Sequence, residues 1–409
     1  MKVALCAPDL HSENGGIRNF VLWIMNYVSP HVETRLIAKH DLIIEAGQLL
    51  GHPIECTSFE KLDERTRRTW RFRLLEAENR GSIAGIELPY YRRGSERLRR
   101  RLFANRLVSL TIGDEVLRSG ADLVHVPLQS FTLKEAGGLP FVLNPHDYQH
   151  EHLPQFFSED VLQLRKEVWY PIQRQAAAIV THSLQTRDDA IRFARIPEER
   201  VFYAPYGAIR GFPDPGDAAS HEIAARIGLP DNFLFYPARM WGHKNHIGLL
   251  EAVALLKRRG IDVDCVFTRG GDCEADVIAA VDRLGLTDRV TITGTLGPEE
   301  MGAAYRTAGM VVVPSLFEQN SGPMLEALHF GKAIAVSNIR EMAASLNDAG
   351  LLFDPRSTQE MAEAIERVMG SADTRQDLER RAAERRDAMS WQPFVDCYRD
   401  AYEYAAGKA

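Results

Sequence analysis

Phe317-Glu318-Gln319-Asn320-Ser321-Gly322-Pro323-Met324-Leu325-Glu326-Ala327-Leu328 follows closely on the run Gly309-Met310-Val311-Val312-Val313-Pro314. The run is short, β-branched and apolar, so it reads as a buried strand. Beyond Gly322-Pro323 the residues favour helix, and Pro323 suits a first helical turn. Asn320, Ser321 or both can cap that helix. One carboxylate, Glu318, is thereby expected at the strand's C-terminal mouth. A second, Glu326, is expected about two turns into the helix. In an open parallel sheet that mouth is where ligands bind. A helix start offers free N–H groups and a positive dipole end, which suits a phosphate. Two carboxylates able to accept from hydroxyls, placed around an anion-binding helix start, suggest a sugar nucleotide. The competing reading makes Glu326 a solvated helix residue and Glu318 a loop charge.

At 409 residues the chain exceeds one ordinary core, so two domains are expected. The 45% hydrophobic and 26% charged content is that of a globular protein. A net charge of −7 argues against a general nucleic-acid binder. The five cysteines (Cys6, Cys56, Cys265, Cys273, Cys397) are odd in number and scattered, without a CxxC pair. They indicate neither a disulfide framework nor a zinc site, and a reduced cytoplasm is expected. Lys2-Val3-Ala4-Leu5-Cys6-Ala7-Pro8-Asp9 is too short for a membrane span and lacks a cleavage region, so it reads as a first strand.

Gly15-Gly16 lies between that strand and a helical pattern from Ile17 to Tyr27. A glycine pair there lets backbone approach a phosphate, although it is no GxGxxG fingerprint and also suits a plain tight turn. Strands are expected at Val32–Ala38, Ala121–Pro127, Pro140–Asn144, Ala178–Thr181 and Arg200–Ala204, with a helix at Asp41–Leu50. Such alternation signals a doubly wound sheet.

Lys61 to Leu107 differs in composition, with Arg92, Arg93, Arg97, Arg99, Arg100 and Arg101 among its arginines and Trp70, Phe72, Tyr90, Tyr91 and Phe103 interleaved. It is expected to be either a solvated helical face or a surface for an anionic acceptor or an anionic membrane face. His146-Asp147 follows a strand, again at a C-terminal mouth. His150 and His152 come close behind, but no Cys or carboxylate cluster accompanies them, so no metal site is expected.

Around Gly211-Phe212-Pro213-Asp214-Pro215-Gly216-Asp217 the composition turns to that of a linker. A second alternating series follows. Its strands are expected at Asn232–Pro237, Asp264–Thr268, Val290–Thr293, Met310–Pro314, Lys332–Ser337 and Gly350–Phe353. Its helices are expected at Asn245–Arg258, Glu274–Leu284 and Glu299–Thr307. Trp391 to Ala406 reads as a further helix crossing back to the first domain. The expected division is 1–212, 213–385 and a returning tail, 386–409.

Three features of the second series combine. Ala238-Arg239-Met240-Trp241-Gly242-His243-Lys244-Asn245 brings two cations to a turn that enters a helix. Arg as a fork and Lys as a point charge suit a diphosphate. Thr293-Gly294-Thr295-Leu296 follows a later strand, and Glu318 and Glu326 then stand seven residues apart. In this order and spacing the chain resembles the retaining nucleotide-sugar glycosyltransferases of family 4. The resemblance is specific over Phe235–Pro355, including Gly331-Lys332-Ala333-Ile334-Ala335-Val336-Ser337 and Phe353-Asp354-Pro355. It is weaker at Gly15-Gly16 and His146-Asp147-Tyr148, and poor over Lys61–Leu107.

That resemblance implies an α/β chain of the GT-B type, two Rossmann-like doubly wound domains facing across a cleft. It implies that Arg239 and Lys244 hold the donor diphosphate, while Glu326 accepts from the ribose. Glu318 would sit beside the donor sugar, and the backbone of Asn320, Ser321, Gly322 and Met324 would contact sugar and phosphate. Thr295 and Leu296 would receive the base. Gly15 and Gly16 would close from the opposite domain, and His146 would stand beside donor sugar and acceptor. Gln319-Asn320-Ser321 replaces the Gly-Phe-Gly of many members, which leaves the donor sugar open.

The expected reaction is metal-independent sugar transfer to a glycan, lipid-linked or small-molecule acceptor, with retention and no cofactor beyond the nucleotide sugar. The leaving phosphate would take the acceptor proton. The expected location is cytoplasmic, either free or peripheral at the inner membrane face. Asp262-Val263-Asp264 mimics a metal-binding Asp-x-Asp but falls at a strand's start, the opposite mouth. Competing classes are an epimerase or phosphorylase of the same architecture and a catalytically silent binding protein.

Overall fold

The computed structural model describes residues 1–7, 15–50, 55–58, 112–129, 136–209 and 212–407; Lys61–Leu107 and Gly211 lie outside them. Its strands are β1 (Lys2–Ala7), β2 (Glu33–Ala38), β3 (Cys56–Ser58), β4 (Leu123–Val126), β5 (Phe141–Leu143), β6 (Ala178–Thr181) and β7 (Val201–Tyr203), then β8 (Leu234–Tyr236), β9 (Cys265–Thr268), β10 (Val290–Thr293), β11 (Met310–Val313), β12 (Ile334–Ser337) and β13 (Leu351–Phe353). They form a seven-stranded sheet in the order β3-β2-β1-β4-β5-β6-β7 and a six-stranded one in the order β10-β9-β8-β11-β12-β13. Every pairing is parallel.

Strands covered on both faces need continuous apolar runs, and β11, Met310-Val311-Val312-Val313, is buried throughout. Alternation decides which face each side chain serves. Val3, Leu5 and Ala7 of β1 enter one core cluster, while Ala4 and Cys6 enter another on the opposite side. The second sheet has its own core, built on Phe233, Phe235, Val266, Val312 and Ile334. Strand order reverses between β1 and β4 in the first sheet and between β8 and β11 in the second. These are the switch points at which an open parallel sheet leaves room for a ligand.

The last helix, Gln392–Gly407, buries Phe394, Tyr398, Ala401, Tyr402 and Ala405, spaced to fall on one face. They join the cluster of Val3, Leu5 and Ala7 on the first sheet. Just before it, Trp391 stacks on Tyr27 at 4.0 Å and its Nε1 donates to the Ala208 carbonyl at 2.7 Å. A Cβ at Gly207 would stand 2.5 Å from that indole, so glycine is required by close approach. Beneath the tail, Tyr402 Oη meets His125 Nδ1 at 2.7 Å. His125 Nε2 meets Asn144 Oδ1 at 2.5 Å, and Asn144 Nδ2 donates to Tyr398 Oη at 2.8 Å. Burial holds His125 neutral, its pKa pushed down to about 4.

The linker is bound to the second half. Arg306 pairs with Asp214 at 2.9 Å and Asp217 at 2.6 Å. The Pro213 carbonyl sits so close to Gly302 that a Cβ there would lie 1.9 Å from it. Among the described residues no helix is long and apolar enough to cross a membrane.

Candidate active site

Because β8 and β11 are neighbours, the loops that follow them meet. After β8 the chain runs through Arg239 to a 3₁₀ turn, Gly242–Lys244, and then Asn245 in the left-handed conformation (φ 59°). Asn245 Nδ2 donates to the Pro314 carbonyl at 3.0 Å and the Pro355 carbonyl at 2.9 Å, tying three loops together. Lys244 Nζ thereby comes to 2.5 Å from Glu318 Oε1, with 14% and 8% of the two side chains exposed. Ser315 Oγ donates to the same Oε1 at 2.8 Å. The Tyr236 hydroxyl lies 2.9 Å from Ser315 Oγ and 3.2 Å from the Lys244 carbonyl. Arg239 is exposed beside Trp241, with its guanidinium 5.9 Å from the ring centre.

The following helix is Gly322–His329. Ser321, fully buried, is its N-cap, and its Oγ accepts from Met324 N at 3.4 Å. Asn320 takes no part in the cap. Its Nδ2 donates to the His182 carbonyl at 2.9 Å, and Gln319 Oε1 accepts from Ser183 Oγ. Two of the three residues that depart from Gly-Phe-Gly thus join the halves of the molecule.

Since the helix begins at Gly322, Glu326 stands one turn in, not two. A Cβ on Gly322 would lie 3.7 Å from its Oε1, which places the carboxylate beside the first turn. The Tyr305 hydroxyl donates to Oε2. Burial pushes the carboxyl up to about 7, with the tyrosine's hydrogen bond pulling the other way.

In the first half, Gly15 and Gly16 open the helix Gly15–Trp23 after β1. A Cβ on Gly16 would meet no protein atom within 4 Å, so packing does not require glycine there. His146 follows β5, edge-on to Phe20 at 5.3 Å. Its Nε2 donates to the Pro127 carbonyl at 2.9 Å, which leaves Nδ1 as the acceptor. Burial lowers its pKa. Thr295, exposed, and Leu296, packed against the core, follow β10, which β9 separates from β8.

His150 and His152 go to different partners, the Tyr170 hydroxyl and Asp189, each at 2.7 Å. Among the described residues no group of three or more His, Cys, Asp or Glu is placed to hold a metal ion.

The C-terminal ends of the two sheets face each other. His152 packs 5.4 Å from Phe317. Phe156 rides over Gly242, where a Cβ would be 2.4 Å from its ring. Glu341 Oε1 accepts from Gln185 N at 2.7 Å, at the start of the helix Leu184–Arg192. Arg340 reaches Asp188 at 2.6 Å. Sequence reasoning missed Ser315, Tyr236, Tyr305 and Glu341. Only Ser315 carried a signal, standing in the loop three residues before Glu318.

Two doubly wound parallel sheets, apposed at their C-terminal ends around a capped helix start and two carboxylates, make up a GT-B fold. Residues 221–385 match the family Glycosyl transferases group 1. The chain is similar to alpha-D-kanosaminyltransferase of Streptomyces kanamyceticus, 29% identical over 309 residues, covering 74% of this chain and 78% of that one. A D-inositol 3-phosphate glycosyltransferase of Paenarthrobacter aurescens is 24% identical over 238 residues, 56% of this chain and 58% of that one. In fold, sucrose-phosphate synthase of Thermosynechococcus elongatus superposes with a TM-score of 0.70 over 100% of both chains at 16% identity.

Proposed function

We propose that the chain moves a sugar from a nucleoside diphosphate donor to an acceptor hydroxyl, with retention at the anomeric carbon and without a metal. The observation that carries this reading is the convergence of Lys244, Glu318 and the start of the helix Gly322–His329, with Glu326 one turn further on. Lys244, Arg239 and the helix start bind the diphosphate and offset the charge that grows on it as the glycosidic bond breaks. Glu326 accepts from the ribose. Glu318 stands beside the sugar, where positive charge develops. The departing phosphate oxygen takes the acceptor proton on the same face, and the protein then supplies no separate base. Residues 213–385 hold the donor, and 1–212 with the returning tail offer the acceptor, His146 Nδ1 facing it.

The relative named for D-inositol 3-phosphate supports a small polyhydroxylated acceptor. The work is proposed to take place at the cytoplasmic side. The test is a panel of sugar nucleotides scored for nucleoside diphosphate release, with and without inositol-type acceptors, and repeated in EDTA. The expected result is acceptor-dependent release that survives chelation, with an axial or equatorial anomer matching the donor by NMR. Loss in EDTA with rescue by manganese overturns the metal-free mechanism, and release from no donor overturns the whole reading.

A further inference from the structure

Glu318 is held by a chain of hydroxyls whose direction is set by its own charge. Ser315 has one hydroxyl proton, and a carboxylate at 2.8 Å takes it. Ser315 Oγ must then accept from the Tyr236 hydroxyl at 2.9 Å, leaving the longer contact to the Lys244 carbonyl, 3.2 Å, as the weaker branch. Tyr236 and Ser315 are both completely buried, so water does not compete for these bonds. Burial and the nearby carboxylate raise the Tyr236 pKa well above its ordinary value, which keeps it a donor.

The relay closes on itself. Tyr236 reaches the backbone of Lys244, whose ammonium returns to Glu318 Oε1 at 2.5 Å. Both donors therefore occupy one oxygen of Glu318. Among the described residues Oε2 accepts no hydrogen bond, and it is the oxygen left to face a substrate. If a donor diphosphate draws Lys244 away, Ser315 alone keeps Oε1 in place.

We propose that Ser315 and Tyr236 are positioning residues that orient Glu318 so that Oε2 faces the sugar as positive charge develops on it. This rests on the proposed transfer reaction, and it assigns work to two residues that act through Glu318. Removing the Ser315 hydroxyl lets the carboxylate rotate, so alignment in the transition state suffers more than donor binding.

The experiment compares Ser315→Ala, Ser315→Thr and Tyr236→Phe with the unaltered protein, in the Glu318 and Glu318→Gln backgrounds. Ser315→Ala is expected to lower kcat roughly tenfold with donor KM little changed. Ser315→Thr, which keeps the hydroxyl, is expected to recover most of that loss. Tyr236→Phe is expected to lower kcat less, and the double variant to behave as Ser315→Ala alone, because the two act in series. In the Glu318→Gln background Ser315→Ala should add nothing. Melting temperatures and active-site titration normalise for any unfolded fraction. A Ser315→Ala protein with unchanged kcat overturns the proposal, as does one whose loss is equal in both backgrounds or is not recovered by threonine. An unaltered protein that releases nucleoside diphosphate from no donor overturns the reaction beneath it instead.

Discussion

Lys244 Nζ and Glu318 Oε1 stand 2.5 Å apart, though their loops leave different strands and 73 residues separate them in sequence. Neither side chain is exposed enough for water to screen the pair. In the proposed reaction, a phosphate arriving at Lys244 competes with Glu318 for the same ammonium. Lys244→Met should therefore weaken donor binding and also cost roughly 3 to 5 kcal/mol of stability, because it leaves a buried carboxylate without its partner. Donor KM and the unfolding midpoint in urea, measured on one preparation, check both. A variant as stable as the unaltered protein would mean that the pair contributes nothing to the fold.

The two carboxylates should separate kinetically. In the proposed reaction Glu326 accepts from the ribose, which is unchanged, so Glu326→Gln is expected to raise donor KM with kcat nearly constant. On the same proposal Glu318 gains strength only as charge appears on the sugar, so Glu318→Gln is expected to lower kcat, by roughly ten- to hundredfold for one to three kcal/mol. Steady-state constants at saturating acceptor distinguish them, and an exchange of the two phenotypes would reverse the roles.

Glu326 also sets a pH dependence. Its folded pKa, about 7, is raised above the ordinary 4.5. The folded state thus holds the proton more tightly than the unfolded one. The corresponding stability is fully present below pH 4.5 and is lost as pH rises through 7. The melting temperature of the unaltered protein relative to Glu326→Gln should fall between those limits. Donor KM should fall over the same rise in pH, because the carboxylate accepts from ribose hydroxyls more strongly than the acid does. A difference in melting temperature that is flat with pH would place the titration elsewhere.

The returning tail should be essential to the first sheet. Phe394 is fully buried against the cluster of β1, so Phe394→Ala is expected to cost about 3 to 5 kcal/mol. Differential unfolding of the two halves, followed by hydrogen exchange, should show the loss in β1 and β6 before β8 and β11. Uniform loss across both sheets would instead mean that the halves unfold as one unit.

If Lys61–Leu107 meets an anionic lipid or lipid-linked acceptor, binding to vesicles should need acidic lipid and weaken with salt. Replacing Arg99, Arg100 and Arg101 with Ser should reduce it. Flotation that is absent, or insensitive to salt, would leave the solvated-face reading of that stretch.

The sequence by itself determined the two alternating series, the linker and the placing of Glu318 after a buried strand. These are local matters: β-branched runs, turn residues and helix signals act over a few residues. It also carried the amphipathic pattern by which Gln392–Gly407 returns to the first sheet. Tertiary structure alone decided that β8 pairs with β11, and hence that Lys244 meets Glu318. No spacing between residues 244 and 318 encodes that pair, because it follows from strand order. The same holds for Tyr305 on Glu326, 21 residues apart, and for Gln319 and Asn320 on Ser183 and His182. Glu326 shows the difference most plainly. Its place in a helix is local, although the sequence reading put it about two turns in where the structure has one; its raised pKa comes from what is packed around it, and burial is a property of the whole fold.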